Sequence, residues 1–343
     1  MQTQQIQNRK GPLGWEINRS SKYPHDYICA YSYIRNYILQ AEKPPTQPTT
    51  HEKGFVYYLN LCKSLVFAAV KENNLLNAKQ LDDFNQQGYL VIEDFISMAQ
   101  RQALMTRAKQ LIEAFEPPPQ RSVFTTDEQE RTSDDYFLSS GNQIRFFFEE
   151  KAIDKEGHFT VAKQQSINKI GHAQHALDPV YKTTMAALDL TSLGQQLGLS
   201  KPKAIQSMHI FKQPSIGGEV SLHQDSTFLY TQPKSCIGFW MALEDATINN
   251  GCLQAMAGGH TIPLKQRFKR AASGGTEFET LDSSPWPEQP LTMLEVPAGT
   301  LIILHGQLPH YSAANTSSRS RQAFTLHLVD ATCDYPADNW LKA

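Results

Sequence analysis

The residues with the clearest chemical capacity are His223-Gln224-Asp225. On a β-strand, positions two apart point to the same face, so this tripeptide presents an imidazole and a carboxylate side by side. A second source of imidazole lies near the C-terminus, in His305-Gly306-Gln307-Leu308-Pro309-His310-Tyr311-Ser312. The apolar run Leu301-Ile302-Ile303-Leu304 ahead of it reads as a buried strand that delivers these histidines to a sheet end. Adding His305 or His310 to His223 and Asp225 gives two neutral nitrogens and one anionic oxygen. Such a set occupies one face of an octahedron, suits non-haem Fe(II), and leaves positions for a co-substrate and oxygen. A closed structural zinc site would want four ligands, usually with Cys. Isolated histidines such as His158 and His327 read as surface or packed residues, and His305 as a half-buried residue at a strand end.

These side chains need elements to hold them. Beyond Lys203 the apolar period shortens from a helical one to alternation, with candidate strands at 204–212, 236–244, 291–296, 300–304 and 321–329. Short strands after an initial helical region, without βαβ alternation, predict an antiparallel sandwich or jelly roll. Upstream, Ala78–Gln87 reads as a helix ended by Gly88, and Tyr89–Ile92 as a short buried strand. Ser97 and Gln100 form a capping box ahead of a helix that carries Leu104, Ala108, Leu111, Ile112 and Phe115 on one face and stops at Pro117-Pro118-Pro119. Asp178-Pro179 starts another, with Asp as N-cap and Pro in the first turn. In the last strand, alternation places Arg321, Ala323, Thr325 and His327 on one face and Phe324, Leu326 and Leu328 on the other.

Composition narrows the class. A chain of 343 residues allows one large domain with an appendage, or two modest domains. The formal net charge of −2 argues against a general nucleic-acid coat, which needs a basic surplus to displace counterions. Five scattered cysteines (Cys29, Cys62, Cys236, Cys252, Cys333) without a CxxC pair fit neither a disulfide scaffold nor a zinc ribbon, and predict a reducing, cytoplasmic setting. The N-terminus lacks the basic-then-apolar pattern of a secretory signal. The apolar stretch 55–70 contains Asn60, Lys63 and Ser64 and falls short of the ~20 apolar residues of a bilayer span, so it reads as a buried helix. No nucleic-acid or membrane partner is expected from these features.

The run from His223 through Phe228 to Tyr230, then Gly238-Phe239-Trp240-Met241-Ala242-Leu243-Glu244-Asp245, Asn250-Gly251-Cys252-Leu253 and Gly258-Gly259-His260, resembles the phytanoyl-CoA dioxygenase family. The likeness is strongest to the subgroup called phytanoyl-CoA dioxygenase domain-containing proteins. The segment from His310-Tyr311-Ser312 to Arg321-Gln322-Ala323-Phe324 matches as well, as does Ile167-Asn168-Lys169-Ile170-Gly171-His172. The resemblance implies a mainly β fold with supporting helices, a double-stranded β-helix or cupin-like jelly roll. It implies a catalytic domain over 81–343; the resemblance does not reach residues 1–80, which read from composition as a helical extension with a Pro/Thr linker at 43–50. It further implies an Fe(II)- and 2-oxoglutarate-dependent dioxygenase that uses O2 and hydroxylates a small organic substrate, an acyl-CoA or another metabolite. Its 2-oxoglutarate would be decarboxylated to succinate and CO2. The implied iron ligands are His223, Asp225 and His310, because the family's ligand precedes a Ser–Asn–Arg run that His305 lies outside.

The implied 2-oxoglutarate contacts are Arg321 and Ser312, with Lys169, Met208 and Trp240 around the co-substrate. An arginine can fork onto the distal carboxylate, and a hydroxyl can add a donor. Arg319 shares the face of Arg321 and reads as a turn-end surface residue. Related halogenases lack the carboxylate ligand, so Asp225 favours hydroxylation. The competing reading is a non-catalytic metal-binding jelly-roll scaffold, which the complete set of His223, Asp225, His310 and Arg321 opposes. The basic patch Lys265, Arg267, Lys269 and Arg270 reads as a solvated helix face, with capture of an anionic substrate as the alternative. The acidic run 127–135 reads as a surface loop.

Overall fold

Two capping boxes open the helical layer as their residue types require. Asn77 accepts from Gln80 N while the Gln80 side chain accepts from Asn77 N, starting the helix Ala78–Gln87, and Gly88 ends it at φ 77°. Ser97 and Gln100 do the same for Met98–Ala114, which buries Leu104, Ala108 and Ile112. Asp178 caps Pro179–Ala187 through Val180 N and Tyr181 N. The computed structural model describes residues 75–117, 123–124 and 135–342, within the unit Asn74–Ala343. The linker 43–50, the apolar stretch 55–70 and the acidic run up to residue 134 lie outside the described residues.

The strands are β1 Tyr89–Ile92, β2 Val123–Phe124, β3 Ile144–Glu149, β4 Ile167–His172, β5 Pro202–Ile210, β6 Val220–His223 and β7 Ile237–Ala242. Then follow β8 Leu253–Ala255, β9 Gln266–Arg270, β10 Thr276–Thr280, β11 Thr292–Leu294, β12 Leu301–His305, β13 His310–Ser312 and β14 Ala323–Asp330. One eight-stranded sheet runs β1-β12-β7-β14-β5-β4-β3-β2, and a four-stranded sheet runs β11-β8-β13-β6. Only β2 and β3 pair in parallel among the described strands. β9 and β10 form a separate hairpin.

Alternation along the central strands divides the core in two. Phe239, Met241, Leu301, Ile303, Phe324, Leu326 and Leu328 face the helices and pack with Phe84, Leu104, Tyr181, Met185 and Leu193. Trp240, Ala242, Ile302, Leu304 and Ala323 face the small sheet and pack with Leu253, Ala255 and Leu294. The two sheets thus sandwich one apolar layer, in the jelly-roll arrangement expected from the strand pattern. All six expected strands form, Tyr89–Ile92 at its expected bounds and the five beyond Lys203 with ends shifted by up to two residues. The strands that sequence alone does not reveal are mostly short (β6, β8, β13) or charged (β9, β10), so their period is too brief or too polar to read. Among the described residues, no helix is long and apolar enough to cross a membrane.

The basic patch corrects its expectation. Gln266–Arg270 is a strand, not a helix face. Its cations are paired: Lys265 with Asp282, Arg267 with Asp338, and Lys269 with Glu279 at 3.1 Å. Arg270 donates to the carbonyls of Trp340 and Leu138.

Candidate active site

β6 and β13 are antiparallel neighbours, and their register sets His310 directly opposite His223. The two imidazole centroids are 4.2 Å apart. Asp225 follows β6 at the start of a single 3-10 turn, Asp225–Thr227. The intervening Gln224 turns away and ties the corner, donating to Gln307 O and accepting from Lys265 N. Asp225 Oδ1 then lies 3.7 Å from both His223 Nε2 and His310 Nε2, and one ligand atom from each residue falls within 4.8 Å of the others.

The protonation states suit a cation. His223 Nδ1 faces Ser221 O at 2.8 Å and His310 Nδ1 faces Leu308 O at 3.0 Å. A carbonyl only accepts, so each Nδ1 carries a proton and Nε2 is the nitrogen turned toward the cluster. Burial, aided by His223, brings the His310 pKa down to about 4. Burial pushes the Asp225 carboxyl up, but His310, His327 and His223 hold it well below the usual carboxylate range. Two imidazole Nε2 atoms and one carboxylate oxygen therefore converge, a donor set that fits non-haem iron with open positions.

Arg321 sits just ahead of β14 with 2 % of its surface exposed. Its Nε and Nη1 are buried without a hydrogen-bond partner, and its guanidinium lies over the Trp240 ring at 5.2 Å. Burial brings its pKa down to about 10, so it stays cationic at neutral pH. Arg321, Ser312, Met208, Lys169 and Trp240 all line one cavity of about 190 Å³ with the His–Asp–His cluster. An unpartnered buried cation beside this cluster fits the distal carboxylate of 2-oxoglutarate. Ser312 differs in detail: its hydroxyl donates to Gly251 O at 2.9 Å. Arg319 is exposed and does not line the cavity. His305 packs beside His260 and Phe84, outside it.

Among the lining residues that the sequence did not single out are Thr325, His327 and Lys212. Thr325 and His327 share the Arg321 face, and alternation alone could have nominated them. Lys212 gave no signal; it is 2 % exposed and donates to Gly218 O and Ser312 O. Burial, and then the nearby Arg321 charge, push its pKa down to about 6. Part of the cavity lining is aromatic: Phe147 and Phe268 join Phe137, which stacks on Trp340 at 4.4 Å.

The family model described as Phytanoyl-CoA dioxygenase (PhyH) matches residues 84–323. A "Phytanoyl-CoA dioxygenase" of Arabidopsis thaliana is 46% identical over 268 residues, covering 78% of this chain and 94% of that protein. "Phytanoyl-CoA dioxygenase domain-containing protein 1" of Bos taurus is 44% identical over 278 residues, covering 78% and 95%. Among solved structures, a non-heme alpha ketoglutarate dependent carbocyclase from nogalamycin biosynthesis shares the fold, with a TM-score of 0.54 at 17% identity over 78% of this chain and 88% of that one. The chain belongs to the phytanoyl-CoA dioxygenase family and is an oxidoreductase.

Proposed function

We propose that this dioxygenase binds Fe(II) through His223, Asp225 and His310 and 2-oxoglutarate through Arg321, and that it hydroxylates a small, largely apolar organic substrate. One oxygen atom of O2 goes to the substrate and the other to succinate, with release of CO2. The observation that carries this reading is the unpartnered, buried Arg321 guanidinium in the same cavity as a His–Asp–His cluster. Iron, when bound, supplies a centre at which 2-oxoglutarate and oxygen can react.

The protein's own residues bind, orient and exclude water. Nδ1–H donation to Ser221 O and Leu308 O fixes both imidazoles with Nε2 toward the metal position. Arg321 takes the distal carboxylate through its free N–H groups, and Trp240 covers the guanidinium. Thr325 Oγ1, buried without a partner on the same strand face, supplies the hydroxyl donor in place of Ser312, whose proton is engaged by Gly251 O. Lys169, Met208 and Trp240 close the sides of the co-substrate pocket.

The aromatic wall favours an apolar carbon at the reaction centre and keeps water from it. The cations of β9 are engaged by carboxylates and carbonyls, which favours a substrate without the phosphate-bearing part of coenzyme A. Asp225→Ala should abolish the slow conversion of 2-oxoglutarate to succinate that proceeds without substrate; full retention sinks the ligand assignment. A screen for compounds that stimulate succinate release tests the substrate class, and stimulation by acyl-CoA thioesters alone would overturn it.

A further inference from the structure

Asp225 has two oxygens, and the structure divides them. Oδ1 faces the two ligand imidazoles at 3.7 Å each, whereas Oδ2 lies 3.3 Å from Nε2 of a third histidine, His327. Resting on the metal-site reading above, we infer that His327 is a positioning residue: with its proton on Nε2 it donates to Asp225 Oδ2 and keeps Oδ1 aimed at the metal.

Three independent features support this. The first is the last strand itself. Alternation brings His327 to the inner face with Arg321 and Thr325, where 5 % of its surface is exposed. The pairing of β14 with β5 shifts register between His327 and Leu328. Irregularities of this kind re-aim a side chain and are frequent beside active sites.

The second is the residue across the ladder. β14 pairs with β7 so that His327 stands opposite Gly238. A Cβ on Gly238 would come within 2.9 Å of Asp225 Oδ2 and 3.4 Å of His327 Nε2 and Cδ2. The carboxylate and the imidazole therefore meet over a backbone position that only glycine leaves open. The need is for space, since Gly238 is not among the residues with positive φ.

The third is hydrogen-bond accounting. Asp225 Oδ2 is buried without a hydrogen-bond partner, so the 3.3 Å approach is an oblique one. Buried carboxylate oxygens seek a donor, and hydrogen bonds in ligand-free sites are often misaligned until the site fills. A modest ring rotation of His327 completes this bond. The consequence is chemical. A carboxylate free to rotate can chelate with both oxygens and occupy a position that a co-substrate needs. With Oδ2 held, the ligand is monodentate.

The test uses the full chain under anaerobic conditions with Co(II) as the probe, whose visible d–d absorption reports coordination without turnover. His327→Leu removes the donor and keeps an apolar filling. It should weaken Co(II) binding by about 10–100-fold, the usual loss when a partner of a metal ligand is removed, and alter the d–d band. Far-UV circular dichroism should match the parent. His327→Gln can place an amide N–H near the Nε2 position and should restore the band, whereas the shorter His327→Asn should not. Unchanged Co(II) affinity and spectrum in His327→Leu overturn the inference and leave the metal site standing. A parent chain that binds no Co(II) overturns both. Should His327→Leu not fold, the Gln and Asn variants decide: Gln must bind Co(II) at least ~10-fold tighter than Asn, and equal affinities overturn the positioning role.

Discussion

Replacing Arg321 with Met should make the cofactor-free protein more stable and unable to bind 2-oxoglutarate. Two of the guanidinium nitrogens are buried without partners. An unsatisfied buried donor costs about 1–3 kcal/mol, so the pair costs roughly 2–6 kcal/mol. The face-on contact with Trp240 at 5.2 Å offsets about 1–2 kcal/mol of that. Methionine fills a similar channel with a flexible apolar chain and leaves no donor behind. The net gain spans about 0–5 kcal/mol, with about 2.5 kcal/mol at the middle of these ranges, and each kcal/mol raises the melting temperature of a domain near this size by about 2–4 °C. Loss of the charge-assisted fork removes roughly 3 kcal/mol of binding, a weakening of about 100-fold or more. Thermal unfolding of metal-free protein, with and without 2-oxoglutarate, reads both effects. The parent should melt higher with 2-oxoglutarate; Arg321→Met should melt higher without it and show no ligand shift. A variant that melts lower than the parent, with a parent insensitive to 2-oxoglutarate, would refute the reasoning and make Arg321 a structural residue.

Gly238→Ala should fold at a cost of about 1–3 kcal/mol of overpacking and bind Co(II) more weakly, because its methyl enters the space of Asp225 Oδ2; unchanged Co(II) titration would count against the crowding. Trp340→Ala should lower stability by about 3–5 kcal/mol, since Trp340 is buried and stacked on Phe137; a urea midpoint within error of the parent would show that the C-terminal segment is not a fixed wall of the cavity. Acid should destabilise the metal-free protein through His209, whose ring is held neutral between Tyr181 OH and Gln322 Oε1. Burial brings its folded pKa down to about 4, against about 6.5 when unfolded. Between those values the unfolded chain binds the proton and the folded chain does not, so stability falls as pH drops from 6.5 to 4, by about 3 kcal/mol in all. Denaturant titrations across that range should show a shallower slope in His209→Gln; equal slopes would exclude His209 as a source.

Local rules were legible and distant pairings were not. Asn77–Gln80, Ser97–Gln100 and Asp178–Pro179 announce helix starts because capping involves residues within one turn. His223 and Asp225 declare a shared face by their spacing, but only the β6–β13 register brings His310 opposite them, and no local pattern encodes that. The run around β9 reads as a solvated helix face although Lys265, Arg267 and Lys269 recur at the strand period of two, and the carboxylates that engage them, Asp282, Glu279 and Asp338, lie elsewhere in the chain. Lys212 stands only as the end of the expected strand 204–212, with nothing local to signal its burial, because the Gly218 and Ser312 carbonyls that accept from its ammonium are set by the fold.

The distribution of unpaired polar atoms argues that the cavity is shaped for ligands rather than for stability. Native proteins leave few buried polar atoms without a partner. Among the described residues, twelve such side-chain atoms occur, and six belong to residues lining this cavity: Asp225 Oδ2, Arg321 Nε and Nη1, Thr325 Oγ1, His327 Nδ1 and Trp340 Nε1. Four of the six arise at the inner face of the segment 321–327, whose outer face packs Phe324 and Leu326 against the helices, with Phe324 5.0 Å from the Tyr181 ring. The apolar outer face anchors the strand so that the inner one can remain unsatisfied. A fold selected for stability alone would fill those inner positions with apolar side chains or pair them internally. The Arg321 nitrogens and the Thr325 hydroxyl are donors that a bound dicarboxylate would complete, while Asp225 Oδ2 is left for His327 Nε2 on the same face.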